Sequence, residues 1–135
     1  MHRIILALFI LAQLVYADTM PHIILQVGSR SFDVELADTP AAKALLPRLP
    51  ITLDLTDLNA NEKYGDLPEG LPTRAEAVGS IRAADIMLFT PTCFVLFYKS
   101  FRTPYRYTRL GRIPDADSLP AALGRGDVTI TLRAL

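Results

Sequence analysis

Apolar and polar residues alternate along several short stretches of the chain, which is the pattern of strands with one buried face. The alternation is strict at residues 31–36 and again at 51–56. The apolar run 22–27 precedes the first stretch, and Gly28 in the three residues between them predicts a β-hairpin. Further strands are predicted at residues 77–81, 86–89, 93–98, 105–113 and 127–132.

Two short helices interrupt this series of strands. Thr39 has the side chain of an N-cap and Pro40 suits the first helical position, whereas Pro47 ends the segment. A second helix is predicted within residues 115–123, stopped at Gly124. Seven or eight short strands with connections too short for parallel crossovers predict an all-β fold, a small barrel or sandwich with helices over its open ends.

The first seventeen residues have the pattern of a secretory signal peptide. A short positive start at Arg3 is followed by the apolar stretch 4–15 and by the small residue Ala17. We expect cleavage after Ala17, export to the periplasm or the medium, no stable membrane insertion afterwards, and one domain over residues 18–135. A retained membrane anchor and a buried N-terminal segment are the alternatives.

Charge and cysteine content narrow the function classes. The chain has 14 basic and 14 acidic side chains, and removal of Arg3 leaves 13 against 14. This balance gives no general attraction to nucleic acid. Cys93 is the only cysteine, so no intramolecular disulfide can form, and its place at the head of an apolar run predicts a small buried thiol.

Two polar and aromatic segments are the candidate binding site. The first, residues 57–65, is predicted to be a loop, and the second, residues 105–113, a strand with Tyr105, Tyr107 and Arg109 on one face. Glu62 is expected to pair with Arg109 across the barrel mouth. The candidate ligand-binding residues are Asn59, Asn61, Glu62, Tyr64, Phe97, Tyr107 and Arg109.

The loop segment also imitates part of a calcium site. Asp57, Asn59 and Asn61 match the first three ligand positions of a calcium loop, but Glu62 and Pro68 stand where that loop needs Gly and a bidentate Glu. Asx turns that satisfy the loop's own backbone are the better explanation. We therefore expect no metal and no cofactor.

Several motifs, in this order, resemble a family of bacterial cyclophilin-like fold proteins across essentially the whole of residues 18–135. They are residues 49–53 (LPITL), 57–64 (DLNANEKY), 67–73 (LPEGLPT), 84–88 (ADIML), 95–98 (VLFY) and 107–113 (YTRLGRI). The resemblance implies a closed barrel of about eight strands with two capping helices.

True prolyl isomerases of this fold are less similar. Their catalytic Arg lies in a Phe-His-Arg context, and a Trp lines their proline pocket, whereas this chain has no Trp and neither that context nor their Gln-Gly-Gly stretch. We expect a peptide segment or a small anionic ligand to bind between aromatic rings and an Arg fork. A divergent prolyl isomerase and a structural interaction module are the alternatives, and the oligomeric state is open.

Overall fold

A computed structural model of the protein describes residues 20–135, so the predicted signal segment and its cleavage point lie outside the described residues. The strands are β1 (His22–Val27), β2 (Arg30–Leu36), β3 (Ile51–Leu58), β4 (Glu62–Asp66), β5 (Glu76–Ala77), β6 (Ser80–Ile81), β7 (Asp85–Leu88), β8 (Cys93–Phe97), β9 (Phe101–Arg102), β10 (Arg106–Arg112) and β11 (Val128–Ala134). The helices are α1 (Pro40–Leu45), continued by a 3₁₀ turn (Leu46–Arg48), and α2 (Leu119–Leu123). Among residues 20–135, neither helix has the length and apolar character to cross a bilayer.

Eight antiparallel strands form a closed barrel, which confirms the predicted fold class. Their order is β2, β1, β11, β3, β4, β8, β7 and β10, and pairing of β10 with β2 closes the ring. That closure consists of two register pairs, Gly111 with Leu36 and Arg112 with Glu35. Closure leaves no long unpaired edge in the barrel.

Local sequence explains how the barrel begins. β1 and β2 pair antiparallel, and Gly28 lies in the turn that connects them. Its φ of 57° is strained for most residues but not for glycine, which has no Cβ. The Thr39 hydroxyl then accepts a hydrogen bond from the Ala42 backbone N–H at 3.2 Å, so this residue caps α1 as predicted. In the second helix, Ser118 occupies the N-cap position, but its side chain makes no capping bond.

The interior of the barrel is filled by alternate residues of the strands, and α1 buries Ala41, Ala42 and Leu45 against them. A second, smaller apolar cluster lies on the outer face of strands β4, β7, β8 and β10; we call it the outer cluster. Its buried members are Ile81, Met87, Val95, Phe97 and Tyr107. This cluster explains why β7 is buried on both faces instead of alternating.

The polar segment 57–65 is not a long loop, and this part of the sequence prediction was wrong. Asp57 and Leu58 belong to β3 and residues 62–65 to β4, so that only residues 59–61 form the turn. Asn59 and Ala60 both have positive φ, 54° and 53°, the conformation that matches the twist of a tight hairpin. Glu62 and Tyr64 therefore lie on a strand, and its pairing fixes the direction of these two candidate site side chains.

Candidate functional site

Four neighbouring strands hold the candidate site on the outer face of the barrel. In the register of β4 with β8, Glu62 lies opposite Phe97 and Tyr64 lies opposite Val95. Val95 in turn lies opposite Met87 of β7. Residues that are directly opposite in an antiparallel pair project from the same face, so these side chains form one continuous outer surface.

A cavity of about 290 Å³ opens on this surface, and we call it the outer-face pocket. It is lined by Leu58, Glu62, Tyr64, Phe89, Cys93, Val95, Tyr105 and Tyr107. One acidic side chain is present in this lining, and the other members are apolar, aromatic or a thiol. Mostly apolar walls with few polar groups are typical of sites for organic ligands.

Aromatic rings build one side of the pocket. The rings of Phe89 and Tyr105 are perpendicular, with centroids 5.9 Å apart, and Phe89 and Tyr107 are 5.6 Å apart at an angle of 58°. Tyr107 is buried and rests edge-on against Phe97, whereas Tyr105 is 59% exposed. The walls are therefore supported from below and remain accessible from outside.

Glu62 is the acidic group of the pocket. Burial raises the pKa of its carboxyl group above the ordinary value, and the negative charge of Asp57 raises it further. Among residues 20–135, no ion pair or side-chain hydrogen bond holds this carboxylate. A half-buried carboxylate without a partner is unfavourable for folding and is a common feature of binding and catalytic sites.

Replacing Glu62 with Gln is expected to stabilise the protein at pH 7 by about 0.5 kcal/mol, a small figure because water still reaches the group. The raised pKa means that the folded state binds a proton more tightly than the unfolded state. Stability contributed by this group therefore falls as the pH rises from its ordinary pKa through the raised one. Urea unfolding at pH 3.5 and pH 7 tests this, since the gain should appear at the higher pH alone.

Glu69→Gln is the matched control for that substitution, because Glu69 is an exposed acid elsewhere on the surface. It should leave stability unchanged at both pH values. If Glu62→Gln were neutral or destabilising at pH 7, the Glu62 carboxylate would have a stabilising partner that the geometry does not reveal.

Two further titratable groups line the same cavity. Burial raises the pKa of the Cys93 thiol, and the charges of Asp66 and Glu62 add to this effect. Burial also raises the pKa of Tyr107, with Glu62 contributing next. Cys93 is half-buried in the pocket wall, where a neutral thiol is a poor nucleophile.

Phe97 and Arg109 do not line the outer-face pocket. Phe97 is fully buried beneath it, packed between Phe101 and Tyr107 at centroid distances of 5.7 and 5.6 Å. The expected pair of Glu62 with Arg109 is not formed, because Arg109 Nε donates to Glu76 Oε1 at 2.7 Å. Arg109 lies instead on a separate small cavity with Arg82 and Arg112.

The two asparagines belong to the hairpin turn rather than to the pocket wall. Asn59 is exposed at the turn, where its positive φ suits an Asn side chain. Asp57 Oδ2 accepts a hydrogen bond from the Ala60 N–H at 3.2 Å, the Asx-type turn that the sequence predicted. Asn61 donates its backbone N–H to the Leu58 carbonyl, and its buried Oδ1 has no partner among the described residues.

Lys63 anchors the strand from which Glu62 and Tyr64 project. Its side chain points into the barrel and is fully buried, with Nζ donating to the carbonyl oxygens of Gly124 and Gly126 at 2.8 and 2.6 Å. A salt bridge of 3.1 Å to Asp57 supplies the third acceptor.

Asp57 in turn accepts a hydrogen bond of 2.5 Å from the Tyr98 hydroxyl. That hydrogen bond and Lys63 lower the pKa of Asp57, whereas burial and Asp57 raise the pKa of Tyr98 to about 12. The charged form of Asp57 is thus fixed at the end of β3, next to the strand that carries the pocket's carboxylate.

Sequence reasoning missed several lining residues, namely Leu58, Phe89, Cys93 and Val95. Phe89 had a usable signal, because side-chain directions alternate along the predicted strand 86–89 and place Met87 and Phe89 on one face, opposite the core-facing Leu88. Cys93 and Val95 share the outward face of β8 in the same way. Within residues 20–135, no group of three His, Cys, Asp or Glu side chains is arranged to hold a metal ion.

Comparison with known proteins places this architecture in a family. The sequence profile described as the Cyclophilin-like family matches residues 25–133. A hypothetical protein from Archaeoglobus fulgidus, known from its solution structure, is similar in fold with a TM-score of 0.60 and 14% identity, over 89% of this chain and 98% of that one. No curated protein matches the sequence.

The structural neighbour supports the fold alone at this level of identity. The profile covers nearly the whole of the barrel, from β1 to β11, and includes every lining residue of the outer-face pocket. The chain belongs to the cyclophilin-like family.

Proposed function

We propose that this domain is a binding module that takes up a side chain of a peptide segment, or a small organic ligand of similar size, in the outer-face pocket. The observation that carries the proposal is a cavity of about 290 Å³ with aromatic walls and one half-buried carboxylate that has no partner in the described part of the chain. This volume lies just below the range for drug-sized organic ligands, which begins at about 300 Å³, and so suits a single side chain or a small molecule. Export of the domain remains a prediction from residues 1–17.

The lining favours a ligand with an apolar body and a polar or positively charged group that faces the Glu62 carboxylate. The lining residues include no lysine or arginine, and the expected Arg fork at Arg109 is occupied by Glu76. The pocket therefore supports an anionic ligand less well than a neutral or cationic one. A main-chain amide, a side-chain donor or a positive charge of the ligand would compensate the Glu62 carboxylate.

A panel of capped single amino acids, N-acetyl-X-methylamides with apolar, aromatic, basic, acidic and prolyl side chains, tests this proposal. We expect at least one neutral or basic member to bind measurably by isothermal titration calorimetry, and the acidic members to bind least. Tyr105→Ala removes an exposed wall of the pocket and should weaken binding about tenfold, because a buried aromatic contact contributes roughly 1–2 kcal/mol.

Leu135→Ala is the matched control, since Leu135 is an exposed apolar residue at 81% exposure outside the pocket lining. It should bind the panel like the parent protein, and both variants should keep the parent's melting temperature. Equal affinity in the Tyr105→Ala variant, or tightest binding of the acidic members, would contradict the proposal.

Little prolyl isomerase activity is expected from this pocket. Isomerisation is accelerated when a donor reaches the imide nitrogen of a bound proline and weakens the amide resonance behind a barrier of about 18–20 kcal/mol. No arginine lines the pocket, and Arg109 donates to Glu76 outside it. A protease-coupled assay on a proline tetrapeptide, with a cyclophilin as positive control, should show rates close to the uncatalysed one. Acceleration within about tenfold of that control, lost in the Glu62→Gln or Tyr107→Phe variant, would make the isomerase the better assignment.

A further inference from the structure

The outer-face pocket combines aromatic rings with a carboxylate, which is the composition that selects cations. Four of its lining residues carry rings, Tyr64, Phe89, Tyr105 and Tyr107, and Glu62 is its acid. The ring of Phe89 is perpendicular to that of Tyr105 and inclined at 58° to that of Tyr107 rather than stacked on either, so that the rings form walls at different angles. The faces of aromatic rings carry negative potential and attract an ammonium group placed against them.

The Glu62 carboxylate strengthens this selection because its charge has no partner within residues 20–135. Two cationic side chains on the strands of the pocket, Lys63 and Arg109, are engaged elsewhere. Lys63 is on the same strand but points into the barrel, to Gly124, Gly126 and Asp57. Arg109 is on the outer face but is paired with Glu76. A cation that enters the pocket would supply the missing partner and offset the cost of the half-buried charge.

Lys63 also shows which kind of cation fits. A primary ammonium has three donors, and Lys63 satisfies its own three with two carbonyl oxygens and one carboxylate. The outer-face pocket offers one carboxylate, with tyrosine hydroxyls as its other side-chain oxygens, among rings and aliphatic groups. An ammonium whose hydrogens are replaced by methyl groups leaves no donor unsatisfied there and gains apolar contact with the rings.

We propose that the group recognised by the outer-face pocket is an alkylated ammonium, carried by a methylated lysine side chain or by a small molecule with a quaternary ammonium end. The inference deepens the proposed binding function and rests on it. The ring faces contact the methyl groups, and Glu62 balances the charge from the side of β4.

The test compares choline with its uncharged carbon isostere, 3,3-dimethylbutan-1-ol, by NMR titration of the purified domain at pH 7. The two molecules have the same shape, so their difference measures the charge alone. We expect choline to bind at least about tenfold more tightly. Equal affinities would overturn the ammonium inference and leave the binding function intact. Absence of any shift at the pocket residues with both molecules up to 50 mM, together with no binding in the amino-acid panel, would overturn both.

The source of the ammonium is distinguished by two further probes, N-acetyl-trimethyllysine methylamide and its unmethylated lysine counterpart. Tighter binding of the trimethylated form than of the lysine form supports the inference, and tighter binding of that probe than of choline assigns the ligand to a peptide. Tighter binding of unmethylated lysine would contradict it.

Variants locate the effect on particular side chains. Glu62→Gln should reduce the preference for choline over its isostere from about tenfold to about threefold or less, because loss of the carboxylate charge weakens binding of the cation more than binding of the neutral molecule. Glu69→Gln is the control, because Glu69 is an exposed acid outside the pocket and should change neither affinity. An undiminished preference in the Glu62→Gln variant would remove Glu62 from the recognition of charge.

Discussion

Replacing Lys63 with Met is expected to destabilise the protein by about 2 kcal/mol, below the roughly 3–5 kcal/mol found when one partner of a fully buried ion pair is removed, because Asp57 is partly exposed. Met keeps most of the apolar stem but lacks the ammonium group. The carbonyl oxygens of Gly124 and Gly126 would lose their donor, and Asp57 would lose its counter-ion. Lys63 itself is fully buried, but Asp57 is partly exposed and Gly124 and Gly126 are exposed, so water replaces only part of the hydrogen bonding that the ammonium group provides.

Urea unfolding measures this change, and Lys43→Met is the control. Lys43 forms a salt bridge of 3.3 Å to Asp38 with both side chains more than 70% exposed, so its loss should cost less than about 0.5 kcal/mol. Adding Asp57→Asn to Lys63→Met should recover part of the loss, because the unpaired charge is removed. If both single Lys variants had equal stability, Lys63 would not be the anchor that the geometry indicates.

The Gly111→Ala substitution is expected to destabilise the barrel at its closing seam by about 3 kcal/mol, the upper part of the range for overpacking. A Cβ at position 111 would lie 2.5 Å from the Glu35 carbonyl oxygen and 3.2 Å from the Leu36 Cα. These are backbone atoms that cannot rotate away. Since β10 and β2 pair at two register positions, one of them Gly111 with Leu36, displacement there disturbs half of the seam.

The control for the seam is Gly70→Ala, whose new Cβ would meet the Pro91 side chain at 3.2 Å in an exposed segment. It should cost less than about 1 kcal/mol. Hydrogen exchange gives a local readout, because the Ala37 N–H donates to the Leu110 carbonyl at 2.8 Å beside the seam. Its exchange should accelerate more in Gly111→Ala than in Gly70→Ala. Parent-like stability and exchange would show that the seam can widen without cost.

Much of the fold could be predicted from the alternation of apolar and polar residues and from the residues that begin and end helices. The alternation at residues 31–36 and 51–56, the Thr39 cap and the helix that stops at Gly124 all match the structure. The closed barrel followed from the family resemblance, because pairing of β2 with β10 joins residues about 75 positions apart and leaves no local signal.

The candidate site could be predicted only in part, because the short turn at residues 59–61 was taken for a longer loop. Reading residues 57–65 as a loop left the direction of Glu62 and Tyr64 undefined, whereas the hairpin fixes both on the outer face and sends Lys63 inward. Period-two alternation then separates pocket residues from core residues along β4.

Arg109 shows a different limit of sequence reasoning. Its position on the same strand face as Tyr107 was predictable, but its partner depends on where the irregular segment 67–78 runs. That segment places Glu76 on β5, beside β10, where its carboxylate forms a salt bridge with the Arg109 guanidinium. Prolines and glycines in it exclude long regular structure without indicating its path.

The most direct test of the account is to locate a bound ligand on the surface by NMR. In a titration with N-acetyl-trimethyllysine methylamide, the largest shift changes should occur at Glu62, Tyr64, Cys93 and Tyr107, with contacts from the N-methyl protons to the rings of Phe89 and Tyr105. A second groove of about 360 Å³, lined by residues that include Arg48 and Leu71, lies elsewhere on the surface. Changes centred on that groove, or none at the outer-face pocket, would contradict the central claim that the outer face of β4, β8, β7 and β10 is where this protein binds its ligand.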